Sequence, residues 1–164
     1  MMKPAIKKLY DANIDDFGNL EPDQIMGLTI YAEARGENRA GRIAVGTVIL
    51  ERVDHRKWDG DNIIDVCLLP YQFSCYLKSD PQRITLVRIA TDFLSYYRNS
   101  MPLMECANIA RGLMNGTIPR DPELAAAHCC QYMNPKTAEP GQEARLLKAG
   151  MKVIKDVGAH RFYA

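Results

Sequence analysis

Residues 21–50 read EPDQIMGLTIYAEARGENRAGRIAVGTVIL, and the organisation of the chain unfolds from this stretch. Glu21-Pro22-Asp23 opens a helix. Proline suits a first turn, where its missing N–H costs nothing, and acidic side chains suit the positive end of the helix dipole. The pattern predicts a helix to about Arg35, with Gly36 as its stop. Asn38 is placed to cap a second helix, over about residues 39–54. That helix sets Ala40, Gly41, Ala44 and Gly46 among Ile43, Val45, Val48, Ile49 and Leu50. A helix apolar nearly all round belongs at the centre of the core. Its small residues predict close approach by another backbone.

On a wheel turning about 100° per residue, Ile25, Met26, Thr29, Ile30 and Glu33 share one broad face. Ala32 and Ala34 flank Glu33 in the chain. A carboxylate among apolar neighbours is costly to ionise, so its pKa rises. A carboxyl group that keeps its proton near neutrality is what a glycosidase's general acid requires. The helix ends two residues later, so Glu33 belongs at the rim of the core. The plainer alternative pairs Glu33 with Arg35 or Arg39.

Further out, residues 1–20 form a polar lead-in, a short helix or an arm. Residues 55–60 read as a polar loop holding the single Trp58, and 62–69 as a short helix stopped by Pro70. Residues 71–76 alternate aromatic and polar, which predicts a strand or extended segment. Asp80-Pro81 begins a helix to about Arg98, and residues 101–115 form another, closed by Gly116. Residues 125–132 read as a strand and 140–148 as a short helix. Residues 152–157 and 160–163 read as a β-hairpin turning at Gly158-Ala159. The class expected is α+β, helix-dominated with a small antiparallel sheet. Without repeats or a linker, residues 1–164 read as one domain.

The 164 residues carry 21 basic and 20 acidic side chains, a net charge of +1. That balance offers no electrostatic footprint for nucleic acid. No apolar run approaches the ~20 residues that span a bilayer. Residues 1–16 lack the apolar core of a signal peptide, so synthesis and initial retention in a cytoplasm are expected. The five cysteines, Cys67, Cys75, Cys106, Cys129 and Cys130, form no C-x-x-C pair and read as buried free thiols. A metal site from His128, Cys129 and Cys130 lacks the usual ligand spacing, so no metal and no cofactor are expected.

The run Tyr31-Ala32-Glu33-Ala34-Arg35-Gly36-Glu37, followed by Gly41, Ala44-Val45 and Val48-Ile49-Leu50, resembles the SleB-type cell wall hydrolase family. That family includes spore cortex-lytic enzymes and some phage lysins. Three later pieces resemble its motifs in order: Gln72-Phe73-Ser74-Cys75-Tyr76, Tyr132-Met133-Asn134-Pro135, and Gly158-Ala159-His160-Arg161-Phe162-Tyr163. Together they extend over residues 21–164. Glu51 departs from the pattern, standing where the family usually has Asn. The resemblance implies a lysozyme-like fold and cleavage of the peptidoglycan glycan strand by lytic transglycosylation, with Glu33 as the catalytic residue. A compact lysin without wall-binding repeats, acting as a monomer after release to the wall or as a virion component, fits this outline.

One carboxyl group used twice suffices for that chemistry, whereas hydrolysis usually uses two. Glu51 and Glu37 are the candidate partners if the enzyme is a hydrolytic muramidase. Gln72, Ser74, Tyr76, Tyr132, Asn134 and His160 are candidate sugar contacts. Competing readings are a cysteine hydrolase pairing Cys75 with His160 or His128, and a wall-binding or virion module without activity.

Overall fold

The structure, a computed structural model, describes residues 2–55 and 60–164. The expected loop around Trp58 lies largely outside the described residues. Nine helices appear among the described residues: α1 (Pro4–Phe17), α2 (Pro22–Ala34), α3 (Arg39–His55), α4 (Ile63–Leu68), α5 (Gln82–Thr91), α6 (Phe93–Asn99), α7 (Met101–Asn115), α8 (Pro122–Ala126) and α9 (Gln142–Lys148). Three strands, β1 (Gln131–Met133), β2 (Val153–Val157) and β3 (His160–Tyr163), form an antiparallel sheet in the order β1-β3-β2. The α+β expectation holds. No helix among the described residues is long and apolar enough to cross a membrane.

Helix α2 begins with a reciprocal capping box: Glu21 accepts from the Gln24 backbone, and the Gln24 side chain accepts from the Glu21 N–H at 3.0 Å. Its far end differs from expectation. Gly36 does not take the left-handed conformation of a glycine stop. Arg42, one turn into α3, instead donates to the carbonyls of Ala34 and Arg35 at 3.4 and 2.7 Å. A guanidinium there satisfies orphan carbonyls and meets the negative end of the dipole. Asn38 caps α3 as expected, accepting the Gly41 N–H at 2.9 Å.

The core centre is shared. Residues 25–30 of α2 are buried without a break, as are 44–52 of α3. The closest backbone approach falls on α2 rather than on the small residues of α3. A Cβ at Gly27 would lie 2.7 Å from Ala107 Cα of α7, whereas the three atoms nearest to one at Gly46 are side-chain tips of Leu113, Ile30 and Met26.

Three segments depart from the sequence reading. Residues 71–76 are no strand: Tyr71 sits at φ 68° and Ser74–Tyr76 form a 3-10 turn. The helix expected to Arg98 breaks at Asp92 (φ −144°), whose carboxylate accepts the Ser95 N–H and starts α6. Residues 125–132 divide between the end of α8, a left-handed His128 at φ 50°, and β1.

The lead-in is an integral helix. Phe17 of α1 is fully buried and meets the Tyr76 ring edge-on at 5.0 Å between centroids. Arg83 of α5 is buried too, and donates to Asn13 at 2.6 Å, to Asp16 at 2.5 Å and to the Tyr76 carbonyl. These contacts lock the 3-10 turn against α1 and α5.

Candidate active site

Glu33 lies in the last turn of α2, half-buried, on the wall of a cleft of about 440 Å³. Its lining also takes in Gln131, Tyr132 and Asn134 from β1 and the segment after it, the turn at Gln72–Ser74, and His160 of β3. The Tyr132 hydroxyl donates to Glu33 Oε2 at 2.9 Å. Burial raises the Glu33 pKa above the ordinary carboxyl value; donation from Tyr132 and from the Cys75 thiol, and the charge of Arg52, oppose this in part, while Asp80 adds to it. Desolvation is the largest influence, so the proton-bearing form is favoured. The same burial, with Glu33 alongside, raises the Tyr132 hydroxyl well above the usual tyrosine value, so it remains a donor.

Of the candidate sugar contacts, Gln72, Ser74, Tyr132, Asn134 and His160 line this cleft with Glu33. Asn134 also spends its carbonyl oxygen on the Lys136 N–H at 2.9 Å, a turn contact. His160 stands edge-on to Tyr132, 5.1 Å between centroids, and burial lowers its pKa, so the ring is held neutral. Tyr76 is a correction. Its ring is 2% exposed and its hydroxyl bonds the Thr29 hydroxyl at 2.7 Å. It supports α2 one turn before Glu33 from within the core and offers no face to a sugar.

Neither proposed partner carboxylate lines the cleft. Glu37 clamps the β2–β3 turn, accepting the Ala159 N–H at 3.0 Å and facing His160 Nδ1 at 3.5 Å. Gly158 takes φ 58° in this turn, and a Cβ there would fall 1.9 Å from Glu37 Oε2, so the Glu37 side chain would have to shift. Glu51 is buried on α3 and paired with Arg120 at 2.6 Å, with His55 and His128 also within 3.4 Å. These three, Glu51, His55 and His128, are the group of potential metal-binding side chains found among the described residues. Cys129 is turned away from it, its thiol donating to the Tyr163 carbonyl at 3.1 Å.

The cysteine-hydrolase reading fails on electrostatics. Cys75 is fully buried, and burial together with the neighbouring Glu33 holds its thiol well above the usual value. A nucleophilic cysteine needs the opposite environment. All five cysteines are free thiols.

Two cleft residues escaped the sequence reading. Arg52 of α3 is 4% exposed, donates to the carbonyls of Cys130 and Gln72 at 2.9 and 3.4 Å and to Gln131 Oε1 at 3.2 Å, and lies over the Phe73 ring. It ties the turn at Gln72 to the segment that leads into β1. Tyr71 presents a 65% exposed ring at the cleft from a left-handed backbone conformation, which is unfavourable for a bulky residue and characteristic of functional sites. A larger groove of about 800 Å³ runs along α1, but its lysines and aspartates include no buried acid.

Comparison with solved structures gives two matches. The catalytic domain of the germination-specific lytic transglycosylase SleB from Bacillus anthracis aligns with TM-score 0.62 at 23% identity, over 87% of this chain and 93% of that one. The catalytic domain of the Bacillus cereus SleB protein aligns with TM-score 0.52 at 22% identity, over 87% and 89%. These likenesses establish the fold as that of the SleB catalytic domain. No curated protein matches the chain. The Cell Wall Hydrolase family matches residues 36–163, beginning three residues after Glu33 and taking in every other cleft residue described above. The chain belongs to the cell wall hydrolase family.

Proposed function

We propose that this protein cleaves the glycan strand of peptidoglycan between N-acetylmuramic acid and N-acetylglucosamine, as a lytic transglycosylase with Glu33 as acid and then base. The observation that carries the proposal is Glu33 itself. It is the one carboxylate lining the cleft among the described residues, desolvated, and held by a tyrosine hydroxyl.

Tyr132 donates to Oε2 of the carboxyl group that carries the acid proton. Glu33 protonates the oxygen leaving muramoyl C1, and the C1–O bond breaks. The muramoyl C6 hydroxyl then bonds to C1, closing a 1,6-anhydro ring, and its proton returns to Glu33. No water is consumed. Between these steps the carboxylate is stabilised by donation from Tyr132 and Cys75 and by the charge of Arg52. Burial favours the acid and these donors favour the base, which suits a group needed in both states.

A hydrolase of the usual kind needs a second carboxylate about 5–9.5 Å from the first. Glu51 and Glu37 are committed elsewhere in the structure. Asp80 is near enough to influence Glu33, yet it does not line the cleft, and it accepts the Gln82 N–H at 2.8 Å. Mass spectrometry of the products released from purified cell wall tests the reaction. Anhydro-muramoyl ends are expected. Reducing muramic acid ends would replace transglycosylation by hydrolysis, and cut peptides on intact glycan would remove glycan cleavage altogether.

The exposed Tyr71 ring is suited to stack on a sugar face. Tyr71→Gly removes the ring while relieving the positive φ. The expected result is roughly 5- to 30-fold weaker wall binding, as for a loss of about 1–2 kcal/mol, with unchanged or higher thermal stability. Undiminished binding would deny the ring that role. Release to the wall from a reducing cytoplasm, as in a phage lysin, is consistent with five free thiols.

A further inference from the structure

We propose that Glu51, His55 and His128 form a zinc-binding site outside the cleft, taking no direct part in the glycan chemistry. Glu51 and His55 stand one turn apart on α3, so their side chains leave the same face. His128 comes from the left-handed corner after α8 and reaches the same carboxylate. His55 Nε2 lies 3.4 Å and His128 Nδ1 3.3 Å from Glu51 Oε2, and the three donor atoms all fall within 4.8 Å of one another.

These separations are long for hydrogen bonds to a carboxylate, which fall at about 2.7–2.9 Å when the imidazole is charged. They match a metal site. With tetrahedral zinc bonds of about 2.0–2.1 Å, neighbouring donor atoms lie about 3.3 Å apart. An ion among the three needs only small side-chain movements.

The surroundings fit as well. Glu51 Oε1 is held by Arg120 at 2.6 Å, which orients the carboxylate and leaves Oε2 to the ion. Arg120 also pairs with Asp54 at 2.7 Å, so two carboxylates face one guanidinium. The Glu51 side chain is 3% exposed, whereas His55 and His128 are 42% and 62% exposed, which gives an ion a way in from solvent. The two imidazoles stand 4.0 Å apart between centroids and border a cavity of about 330 Å³ with room for a fourth, water ligand.

The consequence is mechanical. Zinc would tie the last turn of α3 to residue 128, three residues before Gln131. Gln131 in turn accepts from Arg52 on the cleft wall. A filled site would therefore stiffen the wall that carries Tyr132.

The test uses the full chain without an affinity tag, stripped with chelator and titrated with zinc chloride by calorimetry and thermal melting. One zinc per chain is expected, with Kd of about 10 µM or tighter. A hundredfold excess over Kd should raise Tm by roughly 5–10 °C. His55→Ala and His128→Ala should each weaken binding at least ~10-fold. Both residues are exposed, so the metal-free variants should melt close to the parent. Cys130→Ser should bind as the parent does. Absence of binding at about 1 mM zinc would overturn the proposal, as would binding that survives both histidine substitutions.

Discussion

Glu33→Gln is expected to lower wall digestion by about 100- to 10,000-fold, the usual worth of a positioned general acid–base group, while leaving the fold intact. Glutamine keeps the shape and can still accept the Tyr132 hydroxyl. It has no proton to give to a leaving oxygen. Stability should move the other way. Burial raises the Glu33 pKa in the folded state. Relative stability from this group is therefore fully present below the ordinary carboxyl value of about 4.3 and is lost as pH rises through the folded value. At neutral pH the acid costs stability that glutamine does not. The variant should melt at or above the parent temperature at pH 7, and the difference should vanish below about pH 4. Clearing of wall in a zymogram together with melting at both pH values checks the two halves separately. Glu51→Gln supplies the contrast: it leaves Arg120 facing a neutral amide, so stability should fall while digestion by the folded fraction persists. Complete loss of digestion in a well-folded Glu51→Gln variant would return the second-carboxylate mechanism to consideration.

The framework was legible where local rules and tertiary packing agree. Residues 22–34 and 39–55 follow a proline start, an asparagine cap and long apolar runs, and nothing in the fold opposes them. The hairpin was legible because Gly158 interrupts two β-prone runs and takes positive φ. Residues 71–76 were misread because alternation measures exposure, not hydrogen bonding. The buried Phe73, Cys75 and Tyr76 and the exposed Tyr71 and Ser74 alternate on an irregular turn held by Arg83 and Arg52. Asp92 was missed because the apolar pattern continues across it. Only its own side chain, capping α6, ends the preceding helix.

The site divides in the same way. Glu33 stood out because its apolar neighbours are local to α2. Its donor Tyr132 is 99 residues away, and no spacing rule joins them. Arg52, beside Glu51, carried a signal that went unused. Two charged side chains directly after the apolar run of residues 43–50 must either leave the core or find partners inside it. Both found partners, and one of them organises the cleft.

That arrangement makes Arg52 the residue whose loss should cost most beyond Glu33. Arg52→Met keeps much of the side-chain volume and its packing on Phe73, but removes the donors to Cys130, Gln72 and Gln131. Three acceptors near the cleft are left without that partner. Unsatisfied buried groups cost about 1–3 kcal/mol each, but Gln72 and Gln131 can recruit water, so a total of about 2–4 kcal/mol is expected. For a chain of this size that is a fall in Tm of roughly 4–16 °C. A second effect is electrostatic. The Arg52 charge favours the Glu33 carboxylate and holds its pKa lower than burial alone would set it. Without it the Glu33 pKa rises further, and the alkaline limb of the activity profile should move to higher pH. A merely structural loss would scale the profile down without moving it. Measured on folded protein at low temperature, a profile that keeps its midpoint would show that Arg52 holds the cleft walls and does not tune the acid.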